Sequence, residues 1–224
     1  MNNDILNSFC RVCEEFVGNS NSLHKLGLNS KKLEDAASKQ IFDILRLTNK
    51  EVVYTSGRCE SNNLLVFGLL SKYIGKNKKI IVSSDVDSSI KCSLEVLSKY
   101  FVIDYIDCNN DIVDIDKLKS LYSSDTILIS LTYVKNYEEI LKFIDCYSHI
   151  DISNCYCDIK LEKFDFVTIE DNDLLGFGCL IKNKNIVLDP ILHGGKSTTI
   201  YRSGTPALPF IVSFSKLIKN KYNI

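Results

Sequence analysis

The chain has 224 residues, of which 45% are hydrophobic, and this is enough to bury the core of one sizeable domain. The 27 Lys and Arg residues are balanced by 28 Asp and Glu residues, so the formal charge of −1 gives no broad attraction for nucleic acid or an anionic membrane. No apolar run approaches the length of a membrane span, and the polar start at residues 1–4 is unlike a signal peptide, so a cytoplasmic location is expected.

The first half of the chain alternates between helical and extended patterns. Residues 1–29 are predicted to be irregular. Apolar residues at helical spacing then predict helices, and short β-branched runs predict strands. The helices are expected at 30–47, 62–73, 88–99 and 115–122, and the strands at 51–55, 79–83 and 102–105.

The second half continues the same alternation. Residues 126–134 are hydrophobic on both faces, which is typical of a central parallel strand. A helix is expected at 138–147, strands near Ile150, at 166–169 and at 179–181, and a last helix at 209–219. This order favours a single three-layer α/β domain over residues 1–224, with a mainly parallel sheet and a ligand site beyond the carboxyl ends of its strands.

The nine cysteines do not by themselves indicate disulfides or a metal site. A chain of this length with a real core does not need a disulfide framework, and most of its thiols are expected to be small buried groups in a reducing cytosol. Cys10 and Cys13 have CxxC spacing but no second pair at the spacing of a zinc site. The acidic run 170–173 is interpreted as a solvated loop, so no metal is predicted.

Five short segments carry a recognisable pattern. Residues 55–63 read T-S-G-R-C-E-S-N-N, residues 149–151 read H-I-D, and residues 193–195 read H-G-G. Residues 202–205 read R-S-G-T, and residues 19–27 read N-S-N-S-L-H-K-L-G. Taken in their order along the chain, these segments resemble motifs of the cysteine desulfurases, a NifS-like branch of the class V aminotransferase family. The resemblance covers nearly the whole chain.

The resemblance implies the large domain of a fold-type I pyridoxal-phosphate enzyme. It also implies that the family's C-terminal small domain, whose mobile loop carries the sulfur-accepting cysteine, is absent from this chain. Family members form dimers that bury a face of the large domain. The chain is therefore expected to form a homodimer, or a heterodimer with an intact desulfurase or a sulfur acceptor.

The resemblance assigns seven residues to the pocket of the cofactor, pyridoxal phosphate. By resemblance, Gly57, Arg58 and Cys59 lie where the family cradles the phosphate at a helix N-terminus. Asp151 matches the carboxylate that pairs with the pyridine nitrogen, and Asn136 and Asn154 match asparagine or glutamine contacts. Thr205 matches the threonine that reaches the phosphate of a neighbouring subunit.

The reactive positions of the family pattern are altered. Asp173 stands where the family has its Schiff-base lysine, and Asp87 stands where a histidine stacks on the ring. Glu170 and Asn172 replace the serine and histidine that touch the phosphate. These exchanges would bring up to three carboxylates to a phosphate dianion, each costing roughly 4 kcal/mol at about 4 Å with an effective dielectric near 20. Tight cofactor binding is not expected.

The retained residues also allow a purely structural interpretation. Asp151 could cap a neighbouring loop, residues 56–57 could be simple turn chemistry, and Arg202 could hold a carboxylate. Cys59 replaces a threonine hydroxyl and weakens one donor of the cradle. A relocated Schiff-base lysine would have to be Lys135, Lys182 or Lys184, none of which has an evident cause for a lowered pKa.

Three functions follow as hypotheses. The first is a catalytically impaired desulfurase-like subunit that acts by association in sulfur metabolism. The second is an active pyridoxal-phosphate desulfurase or transferase with altered residues, or one completed by a separately encoded small domain. The third is a sulfur carrier that forms a persulfide on one of three cysteines, Cys59, Cys155 or Cys157.

Overall fold

A seven-stranded sheet forms the centre of the protein, which is represented by a computed structural model that describes residues 3–155, 159–195, 197 and 199–222. Its strands are β1 (Lys50–Thr55), β2 (Lys79–Ser83), β3 (Val102–Ile106), β6 (Thr126–Thr132), β7 (Tyr147–Asp151), β8 (Phe166–Glu170) and β9 (Gly178–Asn183). They occur in the order β1-β9-β8-β7-β6-β2-β3. Strand β9 is antiparallel to both neighbours, and the other pairs are parallel.

Helices cover both faces of this sheet. They are α1 (Asn3–Glu15), α2 (Lys25–Leu45), α3 (Arg58–Leu70), α4 (Ser88–Leu97), α5 (Ile115–Leu121), α6 (Tyr137–Leu141) and α7 (Leu208–Lys221). Residues of α2, α5, α6 and α7 share one apolar core with one face of the sheet, and residues of α3 and α4 share a second core with the other face. The predicted three-layer α/β class with a mainly parallel sheet is confirmed.

The prediction that residues 1–29 are irregular was wrong. Asn3–Glu15 is helix α1, and α2 already begins at Lys25. Ile5 and Val12 lie on one face of α1 and are buried, while the Phe9 ring meets that of Phe210 edge-on at 4.9 Å. Helix α1 is stabilised by packing on α7. A search of the local sequence for apolar periodicity does not detect such a contact with a distant segment.

Two details of the middle of the chain also differ from the prediction. The helix expected at 138–147 ends at Leu141, because Tyr147 already starts β7 and pairs with β6. A small hairpin of β4 (Cys108–Asn109) and β5 (Ile112–Val113) was not predicted. Its turn residues Asn110 and Asp111 have φ of 52° and 63°, a conformation that Asn and Asp tolerate well.

The carboxyl ends of the parallel strands lie at one edge of the sheet, which brings the turn after β1, the end of β7 and the end of β8 together. The motifs selected from the sequence lie at this edge. Within the described part of the chain, no helix is long and apolar enough to cross a membrane.

Candidate functional site

The turn after β1 depends on a glycine. Gly57 has a φ of +152°, and a Cβ there would lie 2.3 Å from the carbonyl oxygen of Gly176 and 2.9 Å from Glu170 Oε2. Helix α3 begins at the next residue, Arg58, so its first N–H groups point out of the turn. The geometry is that of an anion cradle at a helix N-terminus.

A carboxylate of the same chain occupies this cradle. Glu170, the last residue of β8, accepts a hydrogen bond from the backbone N–H of Arg58 through Oε2 at 2.5 Å. A negative charge at this position is stabilised by the free N–H and by the dipole of α3. Glu170 therefore provides the charge that a bound phosphate would otherwise bring.

The opposite end of the site is closed by the side chain of Arg58. Its Nε donates to Asp151 Oδ2 at 2.7 Å, and its Nη1 lies 3.2 Å from Asp87 Oδ2. Asp151, at the end of β7, has a side chain that is only 2% exposed, and it also accepts from Asn62 Nδ2 and from the Ser153 N–H. The buried carboxylate is thus fully supplied with donors.

These contacts keep Asp151 ionised. Burial alone would raise the pKa of Asp151, but the hydrogen bond and the charge of Arg58 outweigh burial and bring this pKa below its ordinary value. For Arg58, burial would lower the pKa, and the hydrogen bond and charge of Asp151 raise it instead. The two side chains form a charged pair between a buried carboxylate and a partly exposed guanidinium group.

A series of hydrogen-bonded neutral side chains lies next to the Arg58–Asp151 pair. Thr168 Oγ1 donates to Asn62 Oδ1 at 2.8 Å and lies 3.0 Å from His149 Nε2, while His149 Nδ1 lies 2.8 Å from Ser130 Oγ. Since the single Thr168 hydroxyl proton goes to Asn62, His149 donates through Nε2 and accepts at Nδ1. Burial lowers the pKa of His149 to about 4, so this ring is neutral near pH 7.

Asp87 and Asp173, two of the acidic residues expected near a phosphate, each lie beside a cation. Asp87 caps α4 by accepting from the Ser89 N–H at 2.8 Å, and its other oxygen faces Arg58. Asp173 is half-exposed and pairs with Lys221 Nζ on α7 at 3.0 Å, which lowers the pKa of Asp173. Of the three carboxylates expected near a phosphate, two are thus paired with cations, and Glu170 lies on the cradle.

The asparagines and the threonine assigned by resemblance have local partners. Asn136 accepts from the N–H of Val113 and donates to its carbonyl oxygen, which locks the β4–β5 hairpin to the start of α6. Asn154, at φ 58°, accepts from the Asn172 N–H at 3.0 Å. Thr205 is exposed and accepts from Asn19 Nδ2 at 3.3 Å.

The three candidate thiols are placed differently. Cys59 is exposed in the first turn of α3, with Asn63 Nδ2 at 3.7 Å from its sulfur. Cys155 is half-buried in the loop after β7. Cys157 lies outside the described residues.

Three residues have roles in the site that were not predicted. The side chain of Arg58 was assigned only a cradle position, Glu170 was viewed as a repulsive group, and Asn62 was not selected. Part of the signal was available in the sequence, because a cation inside the glycine turn and the acid at the end of β7 are charge-complementary. Only the fold shows that Arg58 and Asp151 meet, since 93 positions separate them.

The residues of this site do not fit pyridoxal phosphate. Asp151, which the resemblance assigns to the pyridine nitrogen, is paired with Arg58, and the cradle N–H donates to Glu170. A Cβ-sized space next to Gly57 is filled by Gly176 and Glu170. Asp173, which the resemblance aligns with the family's lysine, pairs with Lys221 on α7.

The fold and the motif order define a class of protein. Residues 3–146 match the family model described as aminotransferase class-V. The chain therefore belongs to the class V aminotransferase family.

Its relatives include cysteine desulfurases. Cysteine desulfurase IscS 1 of Archaeoglobus fulgidus is 29% identical over 220 residues, covering 90% of this chain and 58% of the relative. Cysteine desulfurase IscS of Buchnera aphidicola subsp. Acyrthosiphon pisum is 30% identical over 221 residues, covering 89% of this chain and 55% of the relative. The chain thus spans little more than half the length of these curated relatives.

Solved structures show the same fold. A NifS-like protein superposes with a TM-score of 0.89 at 20% identity, covering all of this chain and 67% of the other. DndA from Streptomyces lividans gives a TM-score of 0.83 at 22% identity, covering 98% of this chain and 69% of the other. The chain matches the large-domain architecture of these proteins.

Proposed function

We propose that this chain is a cysteine desulfurase-like domain without desulfurase activity of its own, which acts in sulfur metabolism by associating with a partner. The observation that carries the proposal is the internal closure of the site. Arg58 joins Asp151 and Asp87, and Glu170 holds the N–H at the start of α3. Both polar ends of the site are satisfied by the chain itself.

A cofactor would have to displace these contacts. Removing one partner of a buried ion pair costs about 3–5 kcal/mol, because the other charge is left buried and unpaired. A hydrogen bond to a charged group contributes a further ~1.5–3 kcal/mol. A pyridoxal phosphate molecule would have to offset both costs before it gained any affinity.

The lysines considered as substitutes are held elsewhere. Lys135 is exposed and pairs with Asp111 at 3.1 Å. Lys182 is fully buried, pairs with Glu51 and lies 4.3 Å from the centroid of the Tyr201 ring. Lys184 is exposed beyond the end of β9. Their positions support a chain that makes no Schiff base.

An exposed apolar surface supports association. It consists of Leu23, Leu26, Leu192 and Ile200, which are between 41% and 90% exposed, and we call it the Leu23–Ile200 surface. Its segments are connected, because Asn21 Nδ2 donates to the carbonyl oxygen of Gly204 and residue 192 forms a bridge with residue 202. Exposed apolar groups on connected segments favour a protein interface.

The first experiment tests the loss of chemistry. The purified chain is mixed with pyridoxal phosphate, its visible spectrum is recorded, and borohydride is added to trap any lysine adduct. We expect no bound-cofactor band and no adduct. A trapped lysine would instead establish the second hypothesis, an active enzyme with altered residues or a separately encoded small domain.

The second experiment tests association. The chain is mixed with the host's intact desulfurases and sulfur acceptors, and complex formation and desulfurase rate are measured. We expect a stable complex or a changed rate, which the double variant Leu23→Asp/Ile200→Asp abolishes. Val96→Asp, an equally exposed apolar site on α4, is the control and should have no effect. A homodimer that leaves every desulfurase unaffected would contradict a role in trans.

A sulfur-carrier role is the second candidate, because Cys59 is exposed in the first turn of α3. Persulfide transfer from a desulfurase to this thiol would be detected by mass spectrometry and lost in Cys59→Ser. Retention of partner effects in Cys59→Ser would leave association as the function.

A cytoplasmic location belongs to the same proposal and is supported by the described cysteines, which are free thiols.

A further inference from the structure

A cavity of about 450 Å³ lies between α2, β1 and α7. We call it the α2–β1–α7 cavity. Its volume is in the range of small-molecule sites, about 300–1,000 Å³. Among its described lining residues, none is Arg58, Asp151 or Glu170, so it is separate from the closed site.

One wall of the cavity is aromatic. The rings of Tyr54 and Phe177 are nearly parallel with centroids 6.2 Å apart, and those of Phe177 and Phe210 are nearly parallel with centroids 5.4 Å apart. Phe42 and Val52 complete the apolar lining. Such a wall accommodates a flat or branched apolar group, and its ring faces attract cations.

The polar end of the cavity contains an incompletely paired carboxylate. Glu34 lines the cavity and is only 4% exposed. Its Oε1 lies 3.3 Å from Lys31 Nζ, whereas its Oε2 is buried and has no hydrogen-bond partner among the described residues. A buried carboxylate oxygen without a donor is costly, which makes a ligand that brings a donor favourable.

The hydroxyl groups beside Glu34 do not supply that donor. Ser38 Oγ donates its one proton to the Glu34 carbonyl oxygen at 3.0 Å. Tyr54 Oη lies 2.9 Å from Ser38 Oγ, so the tyrosine proton must point at the serine. Burial raises the pKa of Tyr54, which keeps this phenol neutral. The polar end therefore offers acceptors: Glu34 Oε2 and the free lone pair of Tyr54 Oη.

The cations of the lining are already engaged. Lys31 also pairs with Asp35 at 2.9 Å, and Lys50 Nζ donates to the Phe164 carbonyl oxygen and to Asn183 Oδ1. Arg202 pairs with Glu60 at 2.8 Å. Lys184 is exposed at the rim. Lys31, Lys50 and Arg202 therefore have partners of their own, whereas Glu34 Oε2 has none among the described residues.

We propose that the α2–β1–α7 cavity binds a small organic amine. Its ammonium group donates to Glu34 Oε2 and Tyr54 Oη, and an aromatic or branched apolar group packs on Phe177 and Phe210. An ammonium has three donors and no acceptor, which matches a site that presents only acceptors. This inference is independent of the proposed association with a partner.

The test uses three probes of similar shape and different charge: 2-phenylethylamine, 2-phenylethanol and 3-phenylpropionate. Binding to the full chain is measured by calorimetry and by chemical-shift changes. We expect the amine to bind at least about tenfold more tightly than the alcohol, and the acid to bind most weakly. Tighter binding of the acid, equal binding of all three, or no saturable binding of the amine up to about 10 mM would overturn the proposal.

Two variants locate the binding. Glu34→Gln is expected to remove the preference for the amine, and Val52→Phe to weaken all three probes by filling the apolar part. Glu95→Gln, an exposed glutamate on α4, is the matched control and should leave binding unchanged. Melting temperatures of the variants establish that they are folded. An unchanged amine affinity in both Glu34→Gln and Val52→Phe would show that the amine binds elsewhere and would overturn the assignment.

Discussion

Two deeply buried carboxylates in this protein have opposite surroundings. Asp151 accepts from Arg58, Asn62 and the Ser153 N–H, so each of its oxygens has a donor. Glu34 has Lys31 on one oxygen and a second oxygen without a partner among the described residues. The first site is closed by the chain itself, and the second is open to a ligand that brings its own donor.

The difference arises from what each element places opposite the carboxylate. Asp151 is at the carboxyl end of β7, where the N-terminus of α3 from a neighbouring crossover delivers a full cation. Glu34 lies inside α2 and lines a cavity whose apolar part is formed by Val52 of β1 and by Phe210 and Ile211 of α7. The position beyond the strand ends, where ligands usually bind in this fold, is thus filled by side chains of the protein itself. An open cavity lies instead at an interface between helices and a strand.

The largest expected effect comes from opening the closed site. Arg58→Met should lower the free energy of unfolding by about 3–5 kcal/mol, because Asp151 remains buried without its cation. Urea denaturation measures the change. Adding Asp151→Asn should recover part of the loss, since two partners in contact have coupling energies of about 0.5–3 kcal/mol.

An exposed arginine provides the matched control. Arg11 pairs with Glu15 on the surface of α1 at 2.9 Å, with side chains 75% and 50% exposed. Arg11→Met should change the free energy of unfolding by less than about 0.5 kcal/mol. Strictly additive effects of Arg58→Met and Asp151→Asn would show that the pair does not hold the site together.

A second large effect is expected in acid. Burial lowers the pKa of His149 from 6.5 to about 4, so the folded chain binds this proton less readily than the unfolded chain does. The free energy of unfolding should therefore fall as pH decreases from about 6.5 to about 4, by on the order of 3 kcal/mol in total. Denaturation at a series of pH values measures this slope.

The histidine and the aspartate of the closed site act in different pH windows. The pKa of Asp151 lies below its ordinary value of 3.8, so its contribution is complete above that pH and is lost only at lower pH, as this carboxyl is protonated. His149→Gln should flatten the slope between pH 6.5 and 4 and leave the loss at lower pH in place. An unchanged slope in this variant would assign it to other groups.

The open site should respond in the opposite direction. Glu34→Met removes a buried carboxylate that is half-satisfied, so the free energy of unfolding is expected to rise by about 1 kcal/mol. Lys31 keeps Asp35 as a partner in this variant. The control Glu95→Met, on the exposed face of α4, should change little. A loss comparable to that of Arg58→Met would mean that Glu34 is as well paired as Asp151.

The sequence predicted the fold better than the site. Strands such as β6 are hydrophobic on both faces, and the motifs at 55–63 and 149–151 identify the strand ends, because these signals are local or repeat in a fixed order. Helix α1 was missed because its stability comes from contact with α7, far away in the chain. Contacts between distant segments are not encoded in any local period.

The roles of the altered residues Glu170 and Asp173 also depend on contacts between distant segments of the chain. Glu170 was expected to repel a phosphate, yet in the fold it takes the place of that anion on the Arg58 N–H. Asp173 was expected to border the site, yet its side chain pairs with Lys221 on the terminal helix α7. A single sequence shows which residues were exchanged, but only the folded chain shows which exchanges compensate one another.

The smallest expected effect is that of Asp173→Lys, which alone should not produce binding of pyridoxal phosphate. Asp173→Lys introduces the lysine that the resemblance implies for this position, but it leaves Arg58 on Asp151 and Glu170 on the cradle, and it places a second cation beside Lys221. Pyridoxal phosphate followed by borohydride should therefore trap no adduct on this variant. Combining Asp173→Lys with Arg58→Ala and Glu170→Ser removes both internal occupants, so any cofactor binding should appear there first. A yellow, trappable Asp173→Lys single variant would show that the missing amine alone had silenced the site, and that the internal ion pair is no barrier.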